Sequence, residues 1–311
     1  MNSPSRKLYR FTPGSDVAGM RLDQFVAAAT DELSRSFFRK VVDIGGVHVG
    51  GRRVRRCSHP VGAGEVVEVF LDGLPLEPFA LSAGQILLQD RYCLAIDKPA
   101  GVETQPTPAR YRGTLYDALL RYLQDPARPQ QRPALGMVQR LDRDTSGVMI
   151  FSIHPRAHRP LTALFSGRDV GKLYLALVAG QPEPAAGEIR SQLARNRASN
   201  LVRSVARGGK EAITRYRVVE SFPGACLVEI ELLTGRSHQI RAHFAERGHP
   251  LLGDVRYGGP DRICGEPIPR QMLHSWRLSL PHPVSKDALD IEAPIPADME
   301  HLMKVLRQNP S

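Results

Sequence analysis

Two carboxylates two residues apart, Asp142 and Asp144, stand in the stretch QRLDRDTSG, residues 139–147, ahead of the apolar run GVMIF. The run reads as a core strand, so the charged stretch reads as a loop leaving the edge of a sheet, where a scaffold holds functional groups. Leu141 anchors the loop in the core and fixes Asp142 at a cleft. A carboxylate there can attack a sugar carbon, accept a phosphoryl group in the D-x-D-x-T manner, or simply close an Asx turn. Phosphoryl chemistry calls for an apolar strand leading straight into the first Asp and for a metal partner. Here Gln139 and Arg140 lead in, and no later acidic pair supplies one. Glycosidases flank the bond with two carboxylates, and residues i and i+2 on one loop are poorly placed for that. A lone carboxylate suits a reaction with no separate general-acid carboxylate.

The rest of the composition narrows the partners. The 42 Lys and Arg outnumber the 32 Asp and Glu, giving a formal charge of +10, which favours a polyanion. Cys57, Cys93, Cys226 and Cys264 form no C-x-x-C pair, so reduced thiols in a cytoplasmic protein fit better than disulfides or a zinc ribbon. No apolar run approaches the roughly 18 residues of a membrane span, and the first residues hold no apolar secretory core. Nucleic acid is therefore the expected polyanion, with no membrane partner.

Stepping outward, residues 21–71 predict a compact module. Leu22, Phe25, Val26 and Ala29 make one helical stripe. Ser34 caps a second helix whose Phe38, Val41 and Val42 face inward, and Gly45 and Gly46 end it. VHVGGRRV reads as a hairpin turning at Gly50 and Gly51, and GEVVEVFLD as a closing strand. Arg35, Arg39, Lys40, Arg52, Arg53, Arg55 and Arg56 place seven cations within about 22 residues, a phosphate-tracking surface. The order of these segments resembles the small RNA-binding module of ribosomal protein S-four. A Pro- and Gly-rich linker follows. Two strands around residues 86–98, a helix at 114–124, a helix near 155–166, strands at KLYLALVAG, AITRYRVVES and CLVEIELLT, and a helix at SHQIRAHFAERG complete the pattern. A long basic segment, 187–211, carries Arg190, Arg195, Arg197, Arg203, Arg207 and Lys210. Strands outnumber helices and come in runs, which predicts α+β with a mixed, largely antiparallel sheet.

QRLDRDTSG resembles the signature of the RluA-type pseudouridine synthases. ILLQDRYCLAIDKPAGV, GKLYLALVAG, LLTGRSHQIRAHFAERGHPLLGDVRYGG and RQMLHSWRLSLPHP resemble further blocks of that family in family order. The resemblance implies an RNA-binding module at 1–72, a linker at 73–85 and a catalytic domain at 86–311 with a bent central sheet. It implies isomerisation of uridine in RNA; the N-terminal module favours large-subunit ribosomal RNA over transfer RNA, and a monomer is the default expectation. Reactant and product share the same atoms, so the resemblance calls for no redox cofactor, no metal and no nucleotide. By resemblance Asp142 is the catalytic carboxylate, Arg236 the cation beside it, and Tyr174 the ring that stacks on the uracil. Arg35, Arg39, Lys40, Arg52, Arg53, Arg140, Lys172, Arg197 and Arg203 are the expected RNA contacts, and His238, Gln239 and Arg241 have secondary roles. Gln139 and Gln105 stand where the family usually has His, and a Gln cannot titrate near neutrality. The rival class is a non-catalytic RNA-binding or ribosome-assembly protein of the same fold.

Overall fold

The computed structural model describes residues 6–167, 169–196, 199 and 201–309. The chain divides into two units. One runs to Leu81 and takes in Val102–Pro133; the other takes Ser82–Gly101 and the chain from Ala134 onward.

In the first unit, helices α1 (Leu22–Ala29) and α2 (Arg35–Ile44) pack on a four-stranded sheet of β1 (Lys7–Phe11), β2 (Val47–Val49), β3 (Arg52–Arg53) and β4 (Val67–Leu71), in the order β1-β4-β2-β3. Leu22, Val26, Phe38, Val41, Val47, Val67 and Val69 are its buried core. Ser34 caps α2 by accepting from Phe37 N at 3.3 Å, and Gly45 ends it with φ 90°. Gly50 and Gly51, at φ 55° and 75°, make the hairpin turn, which needs left-handed backbone at both positions. Ala29 is exposed, and Asp23 takes an inward place on α1, held by Arg21 and Arg35. Strand β1 has too short a pattern to be read from sequence, and it forms by pairing antiparallel to β4.

Residues 102–133, which the sequence reading places with the catalytic domain, pack instead with this first unit. The buried Arg110 forks onto Asp72 at 2.8 and 3.1 Å and donates to the Pro75 carbonyl. The amides of Tyr111 and Arg112 donate to Ile44 O, closing the end of α2. Helix α3 (Leu115–Tyr122), capped by Thr114, ties its Arg121 to Phe79 O. Part of the segment expected as a linker, 73–85, thus packs through the carbonyls of Pro75 and Phe79.

The second unit is built on one mixed sheet. Its strands are β5 (Ile86–Gln89), β6 (Cys93–Lys98), β7 (Gly136–Met137), β8 (Ser146–Ser152), β9 (Gly171–Ala179), β10 (Ala186–Arg195), β11 (Val202–Ser204), β12 (Lys210–Phe222) and β13 (Ala225–Leu232). A small ribbon, β14 (Arg262–Ile263) with β15 (Glu266–Pro267), precedes β16 (Leu273–Pro281) and β17 (Ala288–Glu292). The main path runs β11-β10-β12-β13-β9-β16-β8-β6-β5, with β7 on β8 and β17 on β16. Only β16–β8 is parallel among these pairings. Helix α6 (Ala297–Gln308) buries Met299, Leu302 and Met303 against Leu175, Leu177 and Leu227, and α4 (Pro155–Gly167) buries Leu161 against Val148 and Ile150. The third helix, α5 (Gln239–Glu246), follows β13. The basic segment 187–211 is largely strand: β10 and β11 pair antiparallel within it. Its charges alternate with buried Ile189 and Leu193, a period-two pattern that the arginine density conceals.

Candidate active site

The loop before β8 is fixed from both flanks by buried cations. Lys98, fully buried at the end of β6, donates from Nζ to the carbonyls of Pro99 (2.9 Å), Arg143 (2.8 Å) and Thr145 (2.9 Å). Three acceptors match the three protons of an ammonium, which offsets the cost of burying it. Arg270, also buried, donates to Asp144 O and Ser146 Oγ and forks onto Asp298 at 2.6 and 2.8 Å. Thr145 N closes the turn onto Asp142 O at 3.1 Å. Gly147 has φ 112°, and a side chain there would lie 2.1 Å from Ser275 O, so glycine is what lets β16 run beside β8.

The turn delivers two carboxylates to different fates. Asp144 pairs at the surface with its neighbour Arg143, both bonds at 2.9 Å. The Asp142 carboxylate, 29% exposed, receives Arg241 Nη1 on Oδ2 at 2.8 Å. Among the described residues, no donor reaches Oδ1. One oxygen is neutralised and the other is open.

Helix α5 explains why Arg241 is the partner. Gln239 and His243, four residues apart, share one face of the helix. Gln239 Nε2 donates to Ile213 O and Thr214 Oγ1, and its Oε1 accepts from Thr234 Oγ1 and Arg236 N. His243 bonds Thr214 and Ser191, and burial pulls it down to about 4, so it is neutral at physiological pH. Those two residues pin α5 to β12, and Arg241, halfway between them in sequence, projects from the opposite side. There it forks onto the buried Asp254, Nε to Oδ2 at 2.6 Å and Nη2 to Oδ1 at 2.8 Å, while Nη1 reaches Asp142. A guanidinium has the planar set of donors that this double task needs. Burial works against its charge, but Asp254 and Asp142 outweigh it and hold the Arg241 pKa above the ordinary value.

The sequence-based cation, Arg236, is not at Asp142. Its Nε donates to Glu211 O at 2.8 Å, and its amide is held by Gln239. Arg236 lies within the loop between β13 and α5, whereas Arg241 lies inside the helix that the buried polar faces orient. The sequence signal for Arg241 is a helix in which Gln, Arg and His recur among Ile, Ala and Phe with no purely polar face.

Tyr174 lies on β9 opposite Ser275 of β16, is 8% exposed, and interacts with both Ser275 and the Asp142 charge. Burial pushes its phenol up to about 12, so it stays protonated at neutral pH. Its neighbour Lys172 is half-buried with Nζ over the Phe165 ring at 5.1 Å, and burial lowers its pKa. That ammonium is packed within the unit rather than offered to a phosphate.

The other expected RNA contacts divide similarly. Arg39, Lys40, Arg52, Arg140 and Arg203 are exposed. Arg35 is tied to Asp23 at 3.1 Å. Arg53 is committed to the carbonyls of Thr107 and Pro108 and packs on the Tyr111 ring, so it shapes the first unit rather than its surface. Arg197 lies outside the described residues. No helix among the described residues is long and apolar enough to cross a membrane.

The mixed sheet thus carries a cation-clamped aspartate on a strapped loop, with one carboxylate oxygen left for a bound substrate. The family model for RNA pseudouridylate synthase matches residues 92–246, and that for the S4 domain matches residues 20–67. The chain belongs to the RNA pseudouridine synthase family. It is 35% identical over 317 residues to the ribosomal large subunit pseudouridine synthase D of Nitrosomonas europaea, covering 96% of this chain and 88% of the relative. An uncharacterized RNA pseudouridine synthase of Chloroflexus aurantiacus is 37% identical over 294 residues, covering 94% and 91%. Among solved structures, human RNA pseudouridylate synthase domain containing 4 superposes with a TM-score of 0.60 at 25% identity, covering 73% of this chain and 95% of that one.

Proposed function

We propose that this enzyme isomerises uridine in large-subunit ribosomal RNA, with Asp142 as the reacting carboxylate, Arg241 as its clamp and Tyr174 against the base. The observation that carries the reading is the asymmetry of Asp142. Oδ2 is held by Arg241, and Oδ1 is free to engage the nucleoside.

The reaction moves the glycosidic bond of uridine from N1 to C5 of uracil. A proton leaves C5 and one is gained at N1, so the atoms balance without an outside reagent. The uridine must first leave its stack, at a cost of a few kcal/mol. Stacking on one aromatic ring returns roughly 1 to 3 kcal/mol, which Tyr174 supplies. Because Tyr174 is protonated at neutral pH, its hydroxyl serves as a hydrogen-bond partner and not as a phenolate base. Exposed Arg39, Lys40, Arg52, Arg140 and Arg203 supply backbone contacts. Ribosomal RNA is favoured over transfer RNA by the relatives named as ribosomal large subunit enzymes and by the S4 domain. A cytoplasmic location belongs to the same proposal.

Tritium release from RNA labelled at C5 of uridine tests the chemistry. Asp142→Asn is expected to abolish release while RNA affinity stays within about twofold, since one carboxylate adds nothing to phosphate binding. Turnover surviving in that variant would remove Asp142 from its role. Pseudouridine mapping with and without the gene tests the substrate. A lost site in transfer RNA alone would overturn the ribosomal assignment.

A further inference from the structure

His238, the residue before α5, adopts left-handed backbone with φ 51° and ψ 21°, and it makes no side-chain capping bond to the helix. A non-glycine residue holds that conformation only when its surroundings fix it, and such positions cluster at functional sites. Here a tyrosine holds the ring. His238 Nδ1 lies 2.9 Å from Tyr257 Oη, and the two rings meet edge to face at 5.7 Å. The same Tyr257 ring lies under the Arg241 guanidinium at 4.9 Å. One side chain therefore supports both residues that flank Asp142.

The bonding around Tyr257 assigns the imidazole tautomer. Its hydroxyl oxygen already accepts from Val202 N at 2.9 Å. Its own hydrogen then has one acceptor among the described residues, His238 Nδ1. A bare Nδ1 leaves the proton on Nε2 in the neutral ring. Nε2 faces Asp142 Oδ2 at 3.7 Å, slightly beyond hydrogen-bond range. Burial and the charges of Arg241, Arg256 and Arg195 lower the pKa of this ring against the opposing pull of Asp142, so it is a neutral donor and not a second cation. Contacts of this kind are often long in a free enzyme and tighten when substrate enters.

We propose that His238 is a positioning residue for Asp142: oriented by Tyr257, its Nε2–H closes onto Oδ2 and, with Arg241, fixes the carboxylate rotamer that leaves Oδ1 to the nucleoside. This rests on Asp142 being the reacting group. It adds a second donor on the same oxygen, fixed by a tyrosine that lies 115 residues along the chain from Asp142.

Two amides separate this role from a purely structural one. In His238→Gln the amide nitrogen reaches about where Nε2 stands. In His238→Asn it stops about where Nδ1 stands, although Asn suits left-handed backbone better than Gln. Single-turnover tritium release, RNA affinity and melting temperature are measured for both, with His238→Ala, Tyr257→Phe and Asp142→Asn alongside. His238→Ala and His238→Asn are expected to slow the step by about 10- to 100-fold, the cost of a misplaced reacting group, with RNA affinity within about twofold. His238→Gln is expected to recover most of the native rate, and Tyr257→Phe to lose about tenfold through a freed tautomer. If Asn outperforms Gln, or if rates simply follow melting temperature, His238 is a backbone element and the proposal falls. Turnover in Asp142→Asn would instead sink the parent reading, whatever the histidine variants do.

Discussion

The loop at Asp142 and the basic face of the first unit use cations in opposite ways. Lys98, Arg241 and Arg270 are buried, and each is bonded to fixed oxygens that leave it one geometry. Arg39, Lys40 and Arg52 are exposed and form no ion pair with a described carboxylate. Buried cations fix the loop and carboxylate of Asp142 through specific bonds, so each is irreplaceable. Surface cations add to a potential that holds a polyanion, so they are interchangeable within their sum. Charge alone does not sort a residue into either group: Arg53 sits in the basic hairpin, yet it behaves like the buried set.

The sharpest way to break this contrast is at Arg241. Arg241→Met would leave Asp254, almost fully buried, without its cation, at a cost of about 3 to 5 kcal/mol of stability. Arg241→Lys keeps the charge but cannot fork to Asp254 while reaching Asp142. It is expected to keep the fold and lose about 100-fold in tritium release. Arg236→Lys is expected to change the rate by less than about threefold, since Arg236 meets a backbone carbonyl. A larger loss from Arg236→Lys than from Arg241→Lys would restore Arg236 as the partner of Asp142.

The confusion between those two arginines shows what the sequence can carry. Element types were legible where apolar patterning or turn residues mark them: both module helices by their apolar stripe, the hairpin by Gly50 and Gly51, and the fully buried strand at Gly147 by its continuous apolar run. Asp142 was legible because it sits between a core anchor and a core strand. Its partner was not, because Arg236 and Arg241 share one motif and only three-dimensional bonding separates them. Gln239 and His243 must first be seen to grip β12 before Arg241 is seen to point away from it. Lys98 and Arg270 were illegible for a similar reason, since their partners are carbonyls, which every residue has. The packing of residues 102–133 with the first unit was not legible, because Arg110, which anchors them, looks like any loop arginine until it meets Asp72.

The basic face yields a smaller and differently shaped effect. Replacing Arg39, Lys40 and Arg52 together by Gln is expected to weaken RNA binding about tenfold near 0.1 M salt and to lower the salt slope by about 2. The single-turnover rate at saturating RNA should be unchanged. Arg53→Gln in the same assay should leave the slope alone and lower the melting temperature, because its donors serve the chain. If Arg53→Gln flattened the slope as the triple variant does, the division of cations drawn above would be wrong for this unit.

The smallest effect lies one residue from Lys98 and isolates burial from function. Asp97, adjacent on β6, is half-buried. Burial pushes its carboxyl up to about 6, while Lys98 and the Gly147 amide pull it part of the way back. Where Lys98 is fully paired, Asp97 is not, so its ionisation opposes folding. A folded-state pKa above the ordinary carboxylate value contributes stability that is complete below pH 3.8 and is lost as pH rises through about 6. Asp97→Asn keeps an acceptor for the Gly147 amide and removes the charge. It should raise stability at pH 8 by about 1 kcal/mol, once water screening of the half-exposed group is allowed for, and change little at pH 4. Thermal melts at the two pH values check this. An equal shift at both would mean that Asp97 acts through packing, and that its charge, unlike that of the cation beside it, carries no structural weight.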